Sequence, residues 1–409
     1  MTRHRQHFEE FQPHTKLKHA ILDAYIVTWA MKLLMWGGAG SSLAIVDAFA
    51  GQGQDNTGQP GSPVIAARRA LEAMRTTRGR KPWLEEPRIR VFAIEKNRLH
   101  FRELTRVISQ LDPQEANNVT LYEGELSDHI HEIRRATGRV PVLYFLDPFG
   151  IKGLDAATYP KALDGPHNEL FALFSDLGAT RLHGLLTAER GNATDVVDAI
   201  QSQPSLFPQE DAARIAAAEA AAVRSNDALD ATRPAAREHL TRALGNTEWG
   251  PELATVPPEQ RPDTFLKLFR RTLIAAGARY VLTIPMRNDA GQRVYSLVHA
   301  SKSQQAYVAM KDAVTNGLQR SRLTDTAVQR MLEDMAIDLP AVVGRLRVTF
   351  AGRTLPWADH GEARGIRSYV LGATPMFPGQ SSALKALLKS EQILSRKGRL
   401  EMCAFPRAI

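Results

Sequence analysis

The sequence predicts an α/β fold: a mainly parallel, Rossmann-like sheet finished by an antiparallel hairpin, interrupted by a helical insertion and followed by a small C-terminal helical or winged-helix domain. Three observations predict it. Short apolar runs ending in acids or glycines alternate with helical patterns from Leu43 to Asp176, which calls for crossover helices and parallel strands. Two later strands are joined by only a few polar residues, so they run antiparallel. An Ala-rich stretch without strand character separates the two groups.

In chain order, the first segment is basic, with His4, Arg5, His7, His14, Lys16, Lys18 and His19. It runs into a helical pattern of Ile21, Leu22, Tyr25, Ile26, Trp29 and Leu33. LAIVDAFAGQG reads as a buried strand opening into a tight loop. A polar loop with Gly58, Pro60, Gly61 and Pro63 leads to a helix from Val64 to Arg75, and then IRVFAIEK forms a strand closed by Glu95. A helix over Arg98–Leu111, the strand VTLYEGE, a short helix over Asp128–Arg135 and the strands VLYFLDPFG and ELFALFSD complete the alternating part.

From Gly178 to Pro262 the pattern predicts a helical insertion, with a helix over Ala212–Ala243. The sheet resumes with a helix over Thr264–Ala276, the strand YVLTIPM, the turn residues Asn288, Asp289 and Gly291, and the strand VYSLVHA. That closing hairpin is what methyltransferases add to the dinucleotide-binding pattern. Beyond Lys311, helical patterns over Asp325–Met335 and Ser382–Ile393 flank a Gly- and Pro-punctuated middle, and SRKGRLEMCAF reads as a turn and a strand. The expected organisation is therefore a domain over residues 1–311, with its insertion near 178–262, and a second over 312–409.

Composition narrows the function classes. No apolar run reaches the roughly eighteen residues of a membrane span, because Asp23 and Lys32 interrupt the segment Ala20–Trp36. Cys403 is the only cysteine, which excludes an internal disulfide or a cysteine-based zinc site and suits the cytoplasm. The formal charge of +8 fits a polyanionic partner such as nucleic acid, although charge alone also fits an ordinary basic protein. The histidines show no metal-ligand spacing, so no metal is expected.

The candidate site gathers at strand ends, where parallel sheets bind ligands. In VDAFAGQG, Gly51 and Gly53 let backbone amides approach a nucleotide-like cofactor, Asp47 organises the loop or meets an ammonium through water, and Phe49 belongs to the same turn. A dinucleotide fingerprint wants a small residue where Asn56 stands, which weakens the reading as a nicotinamide oxidoreductase. Glu95 is placed to accept two ribose hydroxyls and Glu125 an adenine amine. Asp147, Pro148 and Phe149 end the fourth strand. A carboxylate and a carbonyl beside proline can hold the N–H bonds of an exocyclic amine, while the aromatic stacks on the base. Carbon-5 pyrimidine methylation needs a cysteine nucleophile, and Cys403 lies far from these motifs in sequence, so nitrogen, or else oxygen, is the expected acceptor.

HTKLKHAIL, VDAFAGQG followed by GQPGSP, the IEK strand end and LDPFGIKGL, in that order, resemble the three-Cys-motif partner (TcmP) family over roughly Phe11 to Lys311. The resemblance implies a class I methyltransferase fold, S-adenosylmethionine as cofactor, and a partner bearing a three-cysteine, radical-enzyme-like motif. It implies that Asp47, Gly51 and Gly53 form the cofactor loop, Glu95 the ribose acceptor, Glu125 the adenine contact, and Asp147 with Phe149 the reaction end. DPFG also looks like the corresponding motif of tRNA guanine-N2 dimethyltransferases; Phe149 and Gly150 depart from the adenine-N6 pattern. A non-catalytic adaptor that binds a partner or nucleic acid remains the alternative.

Overall fold

A computed structural model describes residues 11–36, 42–82, 87–187, 221, 226–227, 230–288, 290–320, 331, 337–361, 363–397 and 399–406. The expected helix over Asp325–Met335, all but Met331, lies outside the described residues, as do most of Ala212–Ala243 before residue 230, the turn residue Asp289, and His4, Arg5 and His7. By internal contacts the chain divides into two units. One takes residues 1–147, 158–174 and 273–409; the other takes 148–157 and 175–272.

The first unit is built on a seven-stranded sheet. Helix α1 (Pro13–Trp36) precedes β1 (Ser42–Asp47), and α2 (Ser62–Arg80) leads to β2 (Arg88–Glu95). Then come α3 (Arg98–Ser109), α4 (Pro113–Ala116), β3 (Val119–Glu123), α5 (Leu126–Thr137), β4 (Val142–Leu146), α6 (Tyr159–Ala162) and β5 (Glu169–Phe174). After the second unit follow β6 (Tyr280–Arg287) and β7 (Arg293–Ser301). The strand order is β3-β2-β1-β4-β5-β7-β6; β1 to β5 are parallel, and β7 is antiparallel to both neighbours. This is the sheet of a class I methyltransferase, and the Asn288–Gly291 turn is what inverts its last strand.

The alternation of side chains places Ile45, Val91, Phe145 and Phe171 on one face, where they share a core with Ile21, Tyr25 and Trp29 of α1 and with Met310 and Val314 of α10 (Gln304–Arg320). Within that core the Tyr25 hydroxyl donates to Glu169, which lies 2.7 Å from His299 Nε2. All three side chains are buried. The hydroxyl, the carboxylate and Nε2 of His299 satisfy one another, which reduces the cost of burying them, while Nδ1 of His299 is buried without a partner.

Helix α10 runs through the boundary expected at Lys311–Asp312 and leads into the C-terminal elements. These are α11 (Leu339–Thr349), β8 (Thr354–Pro356), α12 (Ile366–Ala373), α13 (Ser381–Ser390), β9 (Leu394–Lys397) and β10 (Leu400–Ala404). The three strands form a separate antiparallel sheet in the order β8-β10-β9. Helix, strand, helix, helix and hairpin is the order of a winged helix, and Leu346, Trp357, Val370, Leu384, Leu388 and Cys403 fill its own core. The Cys403 thiol is pushed up to about 12 by burial, with Glu401 adding to the shift, so it behaves as an inert apolar group. Lys311, on α10, is fully buried and donates to the carbonyls of Leu371 and Thr374, at 2.5 and 2.6 Å, which satisfies the end of α12.

The second unit is helical throughout its described elements longer than one turn: α7 (Asp176–Thr187), residues 230–244, α8 (Trp249–Ala254) and α9 (Arg261–Ala275). His183 packs edge-on against Trp249 and Phe265, and burial lowers its pKa, with the charge of Arg261 acting in the same direction. The Thr272 hydroxyl donates to Leu244 O at 2.7 Å, tying α9 to the preceding helical stretch. Among the described residues no helix is long and apolar enough to cross a membrane.

Candidate active site

The loop after β1 is held by its neighbours before any side chain acts. The Ala48 amide donates to Phe145 O and the Ala50 amide to Ile94 O, both at 2.9 Å, so the turn sits between the tips of β4 and β2. Gly51 has φ 60° and Gly53 φ 85°, conformations that L side chains rarely adopt. At Gly53 a β-carbon would also stand 3.1 Å from Leu104 and 3.2 Å from Val107, so the loop lies flat on α3 only because that carbon is missing. Phe49 is half-buried in the same turn.

The Gly51 amide donates to Glu95 Oε2 at 2.9 Å, and the Asn97 amide donates to Glu95 Oε1 at 2.6 Å. A carboxylate offers about four acceptor sites, so two remain available on the half-buried Glu95. Glu125 follows β3 and forms the N-cap of α5. Its amide donates to Asp128 Oδ2 at 2.8 Å, and its carboxylate meets Lys96 Nζ at 3.2 Å. The Gly124 amide donates to Glu95 O at 3.1 Å, which joins these two tips. Leu99, two residues past the Asn97 cap, is 72% exposed and leaves an apolar side chain in solvent.

Asp47 and Asp147 end the adjacent strands β1 and β4. Asp47 is 1% exposed, and its Oδ1 accepts from the Phe49 amide at 3.2 Å. Its Oδ2 is buried without a hydrogen bond of ordinary geometry. Burial pushes the carboxyl from 3.8 to about 7. The Ser62 hydroxyl and the Phe49 amide oppose this, the charge of Asp147 adds to it, and that of Lys18 reduces it. Asp147 itself is ion-paired with Lys18 of α1, whose side chain is 5% exposed against 16% for the carboxylate. Tyr295 of β7 feels the same charge: burial first, then Asp147, raises its phenol well above the usual value. Its hydroxyl donates to His14 O at 3.3 Å.

Two contributors escaped the sequence reading. Lys18 was visible only as one of several basic residues. Asp55 lay inside the polar loop, yet it is buried and organises that loop. Its Oδ2 accepts from the Phe11 amide at 3.0 Å, while its Oδ1 accepts from the Thr57 amide, the Thr57 hydroxyl and the Gln59 amide at 2.9, 2.7 and 2.9 Å. Burial alone would raise the Asp55 carboxyl, but these donors together hold it below the ordinary value. The Asp55–Thr57–Gly58 sequence, a side chain capping its own turn, is the signal that could have found it.

The structure thus brings Asp47, Gly51, Gly53, Glu95, Glu125 and Asp147 to the C-terminal ends of β1 to β4. Pro148 and Phe149 belong to the second unit. There Pro148 is buried, Phe149 is 58% exposed, and Gly150 turns the chain at φ 80°.

No family model matches this chain, and no curated protein matches it. Among solved structures it is similar to a conserved hypothetical protein of Streptococcus pyogenes, at 21% identity over 35% of this chain and 74% of that one, with a TM-score of 0.23. It is similar to a Klebsiella pneumoniae protein provisionally named an O-methyltransferase, at 10% identity over 70% and 90% of the two chains and a TM-score of 0.28. A geranyl diphosphate methyltransferase solved with GPP and sinefungin shares 12% identity over 68% of this chain and 77% of its own, at a TM-score of 0.21. These likenesses are too distant to carry an argument, and the methyltransferase architecture rests on the strand order of this chain.

Proposed function

We propose that this chain is an S-adenosylmethionine-dependent methyltransferase that methylates an exocyclic amine of a nucleobase in DNA or RNA, working with a three-Cys-motif partner protein. The observation that supports it is the meeting of the Gly51 amide with Glu95 at 2.9 Å, flanked by Asp47 and Asp147 on the neighbouring tips. The donor set fits the cofactor. Glu95 keeps two acceptor sites for two ribose hydroxyls, Glu125 carries a carboxylate for an adenine amine, and the buried unpaired Oδ2 of Asp47 suits a cationic group. When bound, S-adenosylmethionine supplies an electrophilic methyl carbon on a sulfonium. Asp147 accepts an N–H of the amine, turns its lone pair forward and takes up the proton, while Lys18 holds the carboxylate in one orientation.

The test uses the full chain with its partner, cofactor labelled in the methyl group, and bulk DNA or RNA. Label is expected in nucleic acid, and Asp147→Asn is expected to reduce transfer at least about 100-fold while leaving cofactor affinity by calorimetry unchanged. Absence of transfer in the presence of the partner, or transfer that ignores the substitution, sinks the reading. One observation favours a second reading, a non-catalytic adaptor: Asp147 is already engaged by Lys18. In that case the cofactor binds and Asp147→Ala leaves the cellular function intact.

A further inference from the structure

The positive charge of the chain is concentrated at one end. Residues 337–409 hold eleven Lys and Arg against five Asp and Glu, an excess of six, where the whole chain has an excess of eight. Residues 321–336 hold two of the first and three of the second, so the excess is still five with that segment included. Of the five acids, Glu362 lies outside the described residues, and the other four are engaged. Asp338 accepts from the Ala341 amide at 3.0 Å, and Asp359 from the Gly365 amide and the Ser368 hydroxyl at 2.7 and 2.8 Å. Glu391 lies 2.8 Å from Arg347 Nη2, and Glu401 lies 2.6 Å from Lys385 Nζ and 3.6 Å from Lys389 Nζ.

Glu401 joins two elements. Both of its lysines stand on α13, and on β10 it is directly opposite Arg396 of β9. Strand alternation puts Arg396 and Glu401 on the face that carries Leu394 and Cys403 into the core. One carboxylate is thus shared by two ammonium groups, with a guanidinium across the strand pair. At the turn of the hairpin, Lys397 and Arg399 are exposed and make no ion pair with a described residue. The outward face of α13 carries Ser382, Ala383, Ala386, Lys389 and Ser390, all small or basic, while Leu384 and Leu388 face the core.

A helix of ten residues is about 15 Å long. The major groove of B-form DNA, roughly 12 Å wide and 8.5 Å deep, admits such a helix, and small side chains let its backbone approach the base edges. A basic hairpin fixed beside the helix then meets the phosphates that flank the groove. The narrow major groove of duplex RNA does not admit a helix, which decides between the two duplexes.

We propose that α13 and the β9–β10 hairpin form a docking surface for double-stranded DNA, with α13 in the major groove and Lys397 and Arg399 on phosphates. This goes beyond the methyl-transfer reading and does not rest on it, since neither the cofactor nor a strand-tip acid takes part.

The experiment titrates the full chain, without cofactor, into a fluorescent DNA duplex of about two helical turns and follows anisotropy over a series of salt concentrations. Lys397→Gln with Arg399→Gln removes two charges from the hairpin; Arg88→Gln with Arg139→Gln removes two exposed ones from the start of β2 and the turn before β4. At about 0.1 M salt, affinity is expected to fall at least about tenfold in the first and less than about twofold in the second, with equal melting temperatures. The slope of log affinity against log salt should shrink by about two in the first variant alone. Glu401→Gln releases two lysines onto the same surface and is expected to tighten binding at least about twofold, a direction that misfolding cannot imitate. If the double variant unfolds, Glu401→Gln decides alone, and failure to tighten overturns the proposal. No duplex binding by the unmodified chain, equal loss in both double variants, or duplex RNA or single-stranded DNA bound as tightly as duplex DNA overturns it as well.

Discussion

Among the described residues two lysines of the sheet unit are buried, and they are satisfied in opposite ways. Lys18, 4% exposed, faces the carboxylate of Asp147 at the strand tips, next to a second buried acid, Asp47. Lys311, 0% exposed, faces the carbonyls of Leu371 and Thr374 and the ring of Tyr307, 4.1 Å away. Burial lowers the Lys311 ammonium from 10.5 to about 7, with Asp312 partly offsetting it. The contrast separates two uses of a buried cation. Lys311 closes the end of a helix, a task neutral donors also perform, whereas Lys18 sits where opposed charges are concentrated beyond what folding requires.

The largest effect expected to sharpen this contrast is at Lys311. Truncation to Ala leaves a cavity and orphans two carbonyls, and should cost about 3–4 kcal/mol in a denaturant titration, with cofactor affinity of the folded fraction unchanged. Next comes Lys18→Met, which strands Asp147 and should cost about 2 kcal/mol, while also cutting the proposed methyl transfer. The double variant Lys18→Met with Asp147→Asn should recover at least about 1 kcal/mol of that loss. A purely additive pair would show that the ion pair is incidental.

Taken per pH unit, the smallest effect is a slope of at most about 1.4 kcal/mol. Because the folded-state pKa of Asp47 is raised from 3.8 to about 7, the native state holds more protons than the unfolded chain between those values. Stability therefore falls as pH rises through that window. For Lys311 the folded value is depressed, so the unfolded chain holds more protons from about 7 to 10.5 and stability rises with pH there. Melting temperatures of the whole chain should pass through a minimum near neutrality. Asp47→Asn is expected to flatten the acid limb and Lys311→Met the alkaline one; limbs that persist in these variants would assign the slopes to other groups.

How far sequence reached follows the same physics. The strand-tip acids Asp47, Glu95 and Asp147 were legible because an apolar run of fixed period ends at each, and the inverted last strand because Asn288 and Gly291 leave room only for a tight turn. The partner of Lys18 was not legible, since 129 residues separate it from Asp147 and only tertiary packing joins them. In the C-terminal region α11, β8 and α12 were passed over: β8 has three residues and α12 eight, too few for a period to show. The helix expected over Ser382–Ile393 ends at Ser390, and Gln392, at φ 59°, reverses the chain into β9. Pro148 and Phe149 continue the motif of Asp147 without a break, yet they group with the helical unit, a division that no local pattern encodes.

The trio of Tyr25, Glu169 and His299 has a consequence for biosynthesis. The hydroxyl on the first helix awaits a carboxylate 144 residues downstream and an imidazole 274 residues downstream. At a translation rate of about 5–20 residues per second, the last of the three emerges roughly 15–55 s after the first. During that interval the apolar stripe around Trp29 has no complete sheet to cover it. Nascent-chain pulldowns should therefore find ribosome-associated chaperones on this helix until β7 has left the exit tunnel.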